Sequence, residues 1–180
     1  YTQLEGDLSR RLSQLQTGDT VWVDRQPAGS LTLTNVTDTS TLCLMATGTG
    51  VAPFISMLQT DEIWARFESV ILVYAARVQA DFQYQALFDR LKAEYPGRFA
   101  LIPFISREKV SGALPGHIPD SLRSGELEQH IGLVLDPDNS HVMLCGNPGM
   151  VKDAASVLEG RGFAVNTPGK RGQLSYESYW

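Results

Sequence analysis

Leu44-Met45-Ala46-Thr47-Gly48-Thr49-Gly50-Val51-Ala52-Pro53 and His141-Val142-Met143-Leu144-Cys145-Gly146-Asn147-Pro148 are the stretches that decide the fold of this chain. Each is a largely apolar run that stops at a glycine-containing turn and is followed by proline. A short continuous apolar run fits a strand buried on both faces. The proline pre-sets the first turn of a helix, where its missing N–H is no loss. Both stretches therefore predict a buried strand, a tight turn and a helix.

Working outward, two further apolar runs have the same texture, Val70-Ile71-Leu72-Val73-Tyr74 and Ala100-Leu101-Ile102-Pro103-Phe104-Ile105. Helical segments are expected between the strands, over Pro53–Gln59, Phe82–Tyr95, Ile118–Ile131 and Met150–Leu158. Phe163-Ala164-Val165 is a candidate fifth strand. Alternating strands and helices define an α/β class with a doubly wound, five-stranded parallel sheet over residues 41–180. In such sheets ligands lie outside the carboxyl ends of the strands, where the strand order reverses.

Residues 1–40 read differently. Val21-Trp22-Val23 follows a Thr17-Gly18-Asp19 turn, and Leu31-Thr32-Leu33 alternates, which is the texture of antiparallel β structure. Leu8, Leu12 and Leu15 recur at helical spacing and mark a short helix opened by Asp7 or Ser9. Two strands alone are marginal, so this segment is expected to be part of a larger sheet.

The whole chain has 180 residues, 43% hydrophobic and 19% charged, with a net charge of −5. That excludes wholesale disorder and gives no overall attraction to nucleic acid or an anionic membrane. No apolar run approaches the ~18 residues of a membrane span, and no leader sequence opens the chain. Cys43 and Cys145 are far apart, each within an apolar run, and neither has metal or cluster spacing. A cytoplasmic, monomeric protein without a metal is the resulting expectation.

Four loops follow the strands. Thr47-Gly48-Thr49-Gly50 lets backbone approach an anion at a helix start, although it is neither a P-loop nor the spaced dinucleotide fingerprint. Ala75-Ala76-Arg77 and Ser106-Arg107-Glu108 each place an arginine at a strand end. Either alone is more often a solvated strand-end charge; together, facing one crevice, they suit bidentate clamping of a phosphate as well as that plain reading. Cys145-Gly146-Asn147-Pro148 puts a thiol at the floor of the same edge, with no base beside it to make a nucleophile. The chain ends on Tyr179-Trp180, two rings that suit stacking on a flat ligand or docking in a core groove.

In this order these loops resemble the bacterial ferredoxin/flavodoxin–NADP⁺ reductases, and most closely their enterobacterial-like branch. The resemblance runs through Leu44–Pro53, Ala75-Ala76-Arg77, Ser106-Arg107-Glu108, Ser124-Gly125-Glu126-Leu127-Glu128, His141–Pro148 and Tyr179-Trp180. It implies FAD and NADP as cofactors, ferredoxin or flavodoxin as partner, and hydride transfer followed by one-electron exchange. It also implies roles at matching positions. Asp7, Leu8 and Ser9 would hold the FAD pyrophosphate, and Thr49 would touch the flavin. Gly50 would admit the NADP pyrophosphate. Ala76, Arg77, Ser106 and Arg107 would form the 2′-phosphate site. Asn147, Pro148 and Asp153 would line the nicotinamide side, with Cys145 positioning the ring. Tyr179 would cover the flavin face, and Trp180 would pack on the adenine of FAD.

Two departures accompany the resemblance. Gly116-His117-Ile118 stands where relatives usually carry Gly-Arg-Ile, so His117 would add positive charge to the 2′-phosphate site only below roughly pH 6.5. The family's flavin barrel also carries an Arg-x-Tyr-Ser motif that this chain lacks. Residues 1–40 would then be the tail of an incomplete FAD-binding barrel that binds FAD poorly, and residues 41–180 an NADP-binding domain. The alternatives are a reductase module of an oxygenase system, or a nucleotide-binding domain with no activity of its own.

Overall fold

A computed structural model describes residues 7–26 and 29–178. The elements are α1 (Asp7–Leu12), β1 (Thr41–Thr47), α2 (Ala52–Leu58), α3 (Asp61–Arg66), β2 (Ser69–Ala76), α4 (Gln85–Glu94) and β3 (Phe99–Ile105). They continue with β4 (Leu114–Pro115), α5 (Ile118–Ser124), α6 (Glu126–Ile131), β5 (Ser140–Gly146), α7 (Pro148–Gly160) and β6 (Leu174–Ser178). The chain divides into two compact units, residues 1–30 and 31–180.

In the larger unit a fully parallel six-stranded sheet has the order β4-β3-β2-β1-β5-β6. The alternation of side chains on β1 explains the two layers. Leu42, Leu44 and Ala46 join one core cluster with Phe54, Leu58, Ile63, Trp64 and Phe88, so α2, α3 and α4 cover that face. Cys43 and Met45 join a second cluster with Ile118, Leu122, Leu127, Val151 and Leu158, so α5, α6 and α7 cover the other. A strand so placed must be apolar at every position. The parallel α/β class is therefore as expected, with helices on both faces.

Several element assignments change. The sheet has six strands, not five. Phe163-Ala164-Val165 is not a strand; Val165 makes one isolated bridge to Leu174. The edge beside β5 belongs to β6 instead, where Leu174 and Ser175 are buried and Tyr176 is exposed. An edge strand with one wet face carries no continuous apolar run. The segment expected as one helix over Ile118–Ile131 is broken at Gly125, whose φ of 79° ends α5 and starts α6. The helix expected from Phe82 begins only at Gln85, after Tyr84 takes a left-handed φ of 68°.

Residues 31–40 pack with the larger unit, so the compact boundary falls ten residues before 40/41. Leu31, Leu33 and Val36 are in its core. The Arg66 guanidinium donates to the carbonyls of Leu33 (2.7 Å) and Val36 (3.0 Å), fixing this segment on α3. In the smaller unit α1 forms as expected, but Leu8, Leu12 and Leu15 are all exposed, and so are Val21, Trp22 and Val23. Among the described residues 7–40 there is no strand.

A polar network secures β6. His141 on β5 is fully buried. The Thr37 N–H donates to its Nδ1 (3.3 Å), so Nδ1 is the acceptor and Nε2 carries the hydrogen that is donated to Ser175 Oγ (3.0 Å). Burial, with a smaller contribution from Arg66, lowers the His141 pKa to about 4. The ring is therefore neutral at pH 7. The Leu31 N–H also donates to the Glu177 carboxylate (3.0 Å), tying the start of this unit to the same strand.

Candidate nucleotide-binding site

β1 is flanked by β2 on one side and β5 on the other, so the strand order reverses between β1 and β5. The loops after these two strands interlock. Gly50 is buried in a 3-10 turn over Gly48–Val51. A Cβ added to Gly50 would lie 2.6 Å from Gly146 Cα, and closer still to the Cys145 carbonyl oxygen. Gly146 takes a φ of 135°, and a Cβ there would overlap Thr47 Oγ1. Thr47 Oγ1 in turn accepts the Asn147 N–H at 2.8 Å. Only glycine at positions 50 and 146 permits this approach.

Each loop leads into a helix, but with different consequences. The Asn147 side chain accepts from Gly149 N (2.9 Å) and Met150 N (3.2 Å), so α7 is capped internally. No side chain caps the Gly48–Val51 turn or the start of α2. That helix start can accept an anion from outside. Thr49 is half-buried in this turn, Pro148 opens α7, and Asp153 is exposed on it. Cys145 is fully buried on the side of β5 that faces Phe54 and Val51. Neither cysteine forms a disulfide. Burial, and secondarily the Glu128 carboxylate, push the Cys43 thiol far up, which leaves it a buried apolar group.

The arginines meet one strand further along. The Ser106 N–H donates to the Ala76 carbonyl (3.2 Å), and the Arg107 N–H to the Arg77 carbonyl (2.9 Å), so β2 and β3 stay paired just past their ends. Both side chains are exposed at neighbouring positions. Among the described residues neither guanidinium has an ion pair or hydrogen-bond partner. His117 lies two residues beyond Pro115, the β4 residue paired with Ile105, and Arg107 lies two residues beyond Ile105. Arg77, Arg107 and His117 therefore follow three successive strand ends. At about 4.8 Å between strands, β5 and β3 are about 14 Å apart, a span suited to an extended dinucleotide.

Asp7, Leu8 and Ser9 open α1 in the smaller unit, where Asp7 forms an exposed ion pair with Arg10 at 3.8 Å. Tyr179 and Trp180 lie outside the described residues. Thr47 and Glu108 lie in loops quoted from the sequence, which assigned neither a role of its own, and each ties one loop of this edge to its neighbour. Thr47 sits within the glycine turn, and Glu108 directly follows Arg107, so proximity in sequence was the available signal.

A parallel sheet whose glycine turns meet at its switch point, with unpaired cations on the adjoining strand ends, defines a nucleotide-binding α/β domain. Residues 44–156 match the oxidoreductase NAD-binding domain family. The chain is 42% identical to the flavodoxin/ferredoxin–NADP reductase of Shigella flexneri over 177 residues, which is 98% of this chain and 71% of that protein. It is 33% identical to the ferredoxin–NADP reductase of Azotobacter vinelandii, covering 89% of this chain and 65% of that one. A crystal structure of a ferredoxin NADP⁺ reductase from Neisseria gonorrhoeae with bound FAD and NADP superposes with a TM-score of 0.88 at 31% identity, covering 98% of this chain and 71% of that one. This chain belongs to the flavodoxin/ferredoxin–NADP reductase family of oxidoreductases.

Proposed function

We propose that this chain binds NADP(H) along the carboxyl edge of its sheet, within an oxidoreductase that moves electrons between NADP(H) and ferredoxin or flavodoxin through FAD. The observation that carries the reading is that Arg77 and Arg107, both exposed, stand on neighbouring strand-end loops joined by the Arg107 N–H to Arg77 carbonyl bond. Two forks on adjacent strands suit the 2′-phosphate that distinguishes NADP from NAD.

In this reading Arg77 and Arg107 grip the 2′-phosphate, with Ser106 as a hydroxyl donor beside Ala76 and His117 as a third donor. The pyrophosphate passes the uncapped turn at Thr49 and Gly50. Asn147, Pro148 and Asp153 line the nicotinamide end, and Cys145 packs beneath it as a positioning group. NADP(H) and FAD together supply hydride and one-electron chemistry; the chain's residues orient the reacting ring and exclude water.

The FAD side is less complete. Leu8, between Asp7 and Ser9 at the start of α1, is 68% exposed. Residues 1–40 as the tail of a FAD-binding barrel, and Tyr179 and Trp180 as its aromatic cover, belong to the same proposal. So does a cytoplasmic monomer, the compartment being supported by two buried cysteines outside any disulfide. No helix among the described residues is long and apolar enough to cross a membrane.

The test is equilibrium titration of the wild type and of Arg77→Ala/Arg107→Ala with NADP⁺ and NAD⁺. Losing two charge-assisted contacts should weaken NADP⁺ by about a hundredfold while NAD⁺ changes little. A double variant that keeps its preference for NADP⁺ contradicts the assignment.

A further inference from the structure

Glu108 is the third residue of the loop after β3, directly beside Arg107, where a carboxylate is unfavourable for a phosphate site. Its side chain is exposed, yet it pairs with neither arginine. It accepts instead the backbone N–H of Gln79, the first residue of the 3-10 turn Gln79–Asp81 that follows Arg77. The two strand-end loops are thus joined twice. The Arg107 N–H reaches the Arg77 carbonyl across the backbone, and the Glu108 carboxylate reaches past Val78 to Gln79. Arg77 and Arg107 are the partners of the first tie, and the second follows two residues later on one loop and one residue later on the other.

We propose that Glu108 is a positioning residue for nucleotide selectivity: it ties the loop of Arg77 to the loop of Arg107 and so fixes the spacing of the two guanidiniums. This rests on the 2′-phosphate reading above. A carboxylate satisfied by a backbone N–H is held away from the guanidiniums and leaves both forks open. The gain is preorganisation, because two flexible arginines held at one spacing lose less freedom when the phosphate arrives. The nearby charges are Arg77, Asp81, Arg107 and Lys109, and among the described residues none forms an ion pair with Glu108.

The experiment uses the full 180-residue chain and two probes, 2′,5′-ADP and 5′-AMP, which differ only in the 2′-phosphate. Glu108→Ala removes the tie; Glu108→Gln keeps an acceptor for the Gln79 N–H and removes the charge. The expected result for Glu108→Ala is about a tenfold loss of preference for 2′,5′-ADP, the size of one lost hydrogen bond, with 5′-AMP unchanged. Glu108→Gln should retain the preference or raise it slightly. If both variants bind 2′,5′-ADP more tightly, Glu108 is only a repelling charge and the proposal is overturned. If Glu108→Ala weakens both probes alike, the effect is on folding and the proposal is likewise overturned. A wild type that does not distinguish the probes refutes the 2′-phosphate site itself, which is a separate failure.

Discussion

Trp64 and Trp22 show what separates the two units of this molecule. Trp64 is 8% exposed, stacked on Tyr95 with ring centroids 3.7 Å apart, and its indole N–H donates to the Leu58 carbonyl. Trp22, in a Val-Trp-Val run with strong strand character, is 98% exposed. The same contrast holds between Leu44, fully buried on the central strand, and Leu8, 68% exposed on α1. Residue type is alike in the two places; the difference is what packs against it. A strand needs neighbours on both edges or a cover on one face, and a six-residue helix is not stable on propensity alone.

The largest effect should come from breaking the best-packed junction of the larger unit. Gly50→Val forces a branched side chain into the Cys145 carbonyl and Gly146 Cα, both backbone, so neither can turn aside. A cost of at least about 3 kcal/mol is expected, with a Tm lowered by about 10 °C and nucleotide binding lost. A folded Gly50→Val protein that binds NADP⁺ normally would separate the glycine turn from the site.

Acid should sharpen the contrast next. The His141 pKa is about 4 in the folded chain, below its ordinary 6.5. The unfolded chain therefore binds the proton more readily. The stability from neutral His141 is complete above pH 6.5 and declines as pH falls toward 4, by up to about 3 kcal/mol. Urea midpoints from pH 7 to pH 5 should fall in the wild type and stay flatter in His141→Gln. Parallel profiles would show that other groups control the acid limb. The smallest effect belongs to the smaller unit: Trp22→Ser should shift stability by less than about 0.5 kcal/mol. A loss of several degrees in Tm would mean that Trp22 is packed in solution.

These regions were not equally legible in the sequence. β1, β2, β3 and β5 are readable because a strand buried on both faces must be apolar throughout. β4 and β6 are not, since an edge strand such as Leu174-Ser175-Tyr176-Glu177-Ser178 keeps polar residues on its wet side. The break at Gly125 was hidden because helical apolar spacing resumes at once beyond it, with Ile118 and Leu122 before and Leu127 and Ile131 after. The glycine turns and strand-end arginines announced themselves through residue types needed near an anion. The ties that hold them did not: Thr47 to Asn147, Glu108 to Gln79 and His141 to Ser175 span 100, 29 and 34 positions. Such partners are chosen by the folded geometry rather than by local pattern.

The most direct test of the nucleotide site is a backbone amide chemical-shift map of this chain titrated with NADP⁺. The largest changes should fall at residues 48–51, 77–79, 106–108, 147, 149 and 150, along one edge of the sheet. Changes concentrated elsewhere, or none at saturating NADP⁺, would contradict the account.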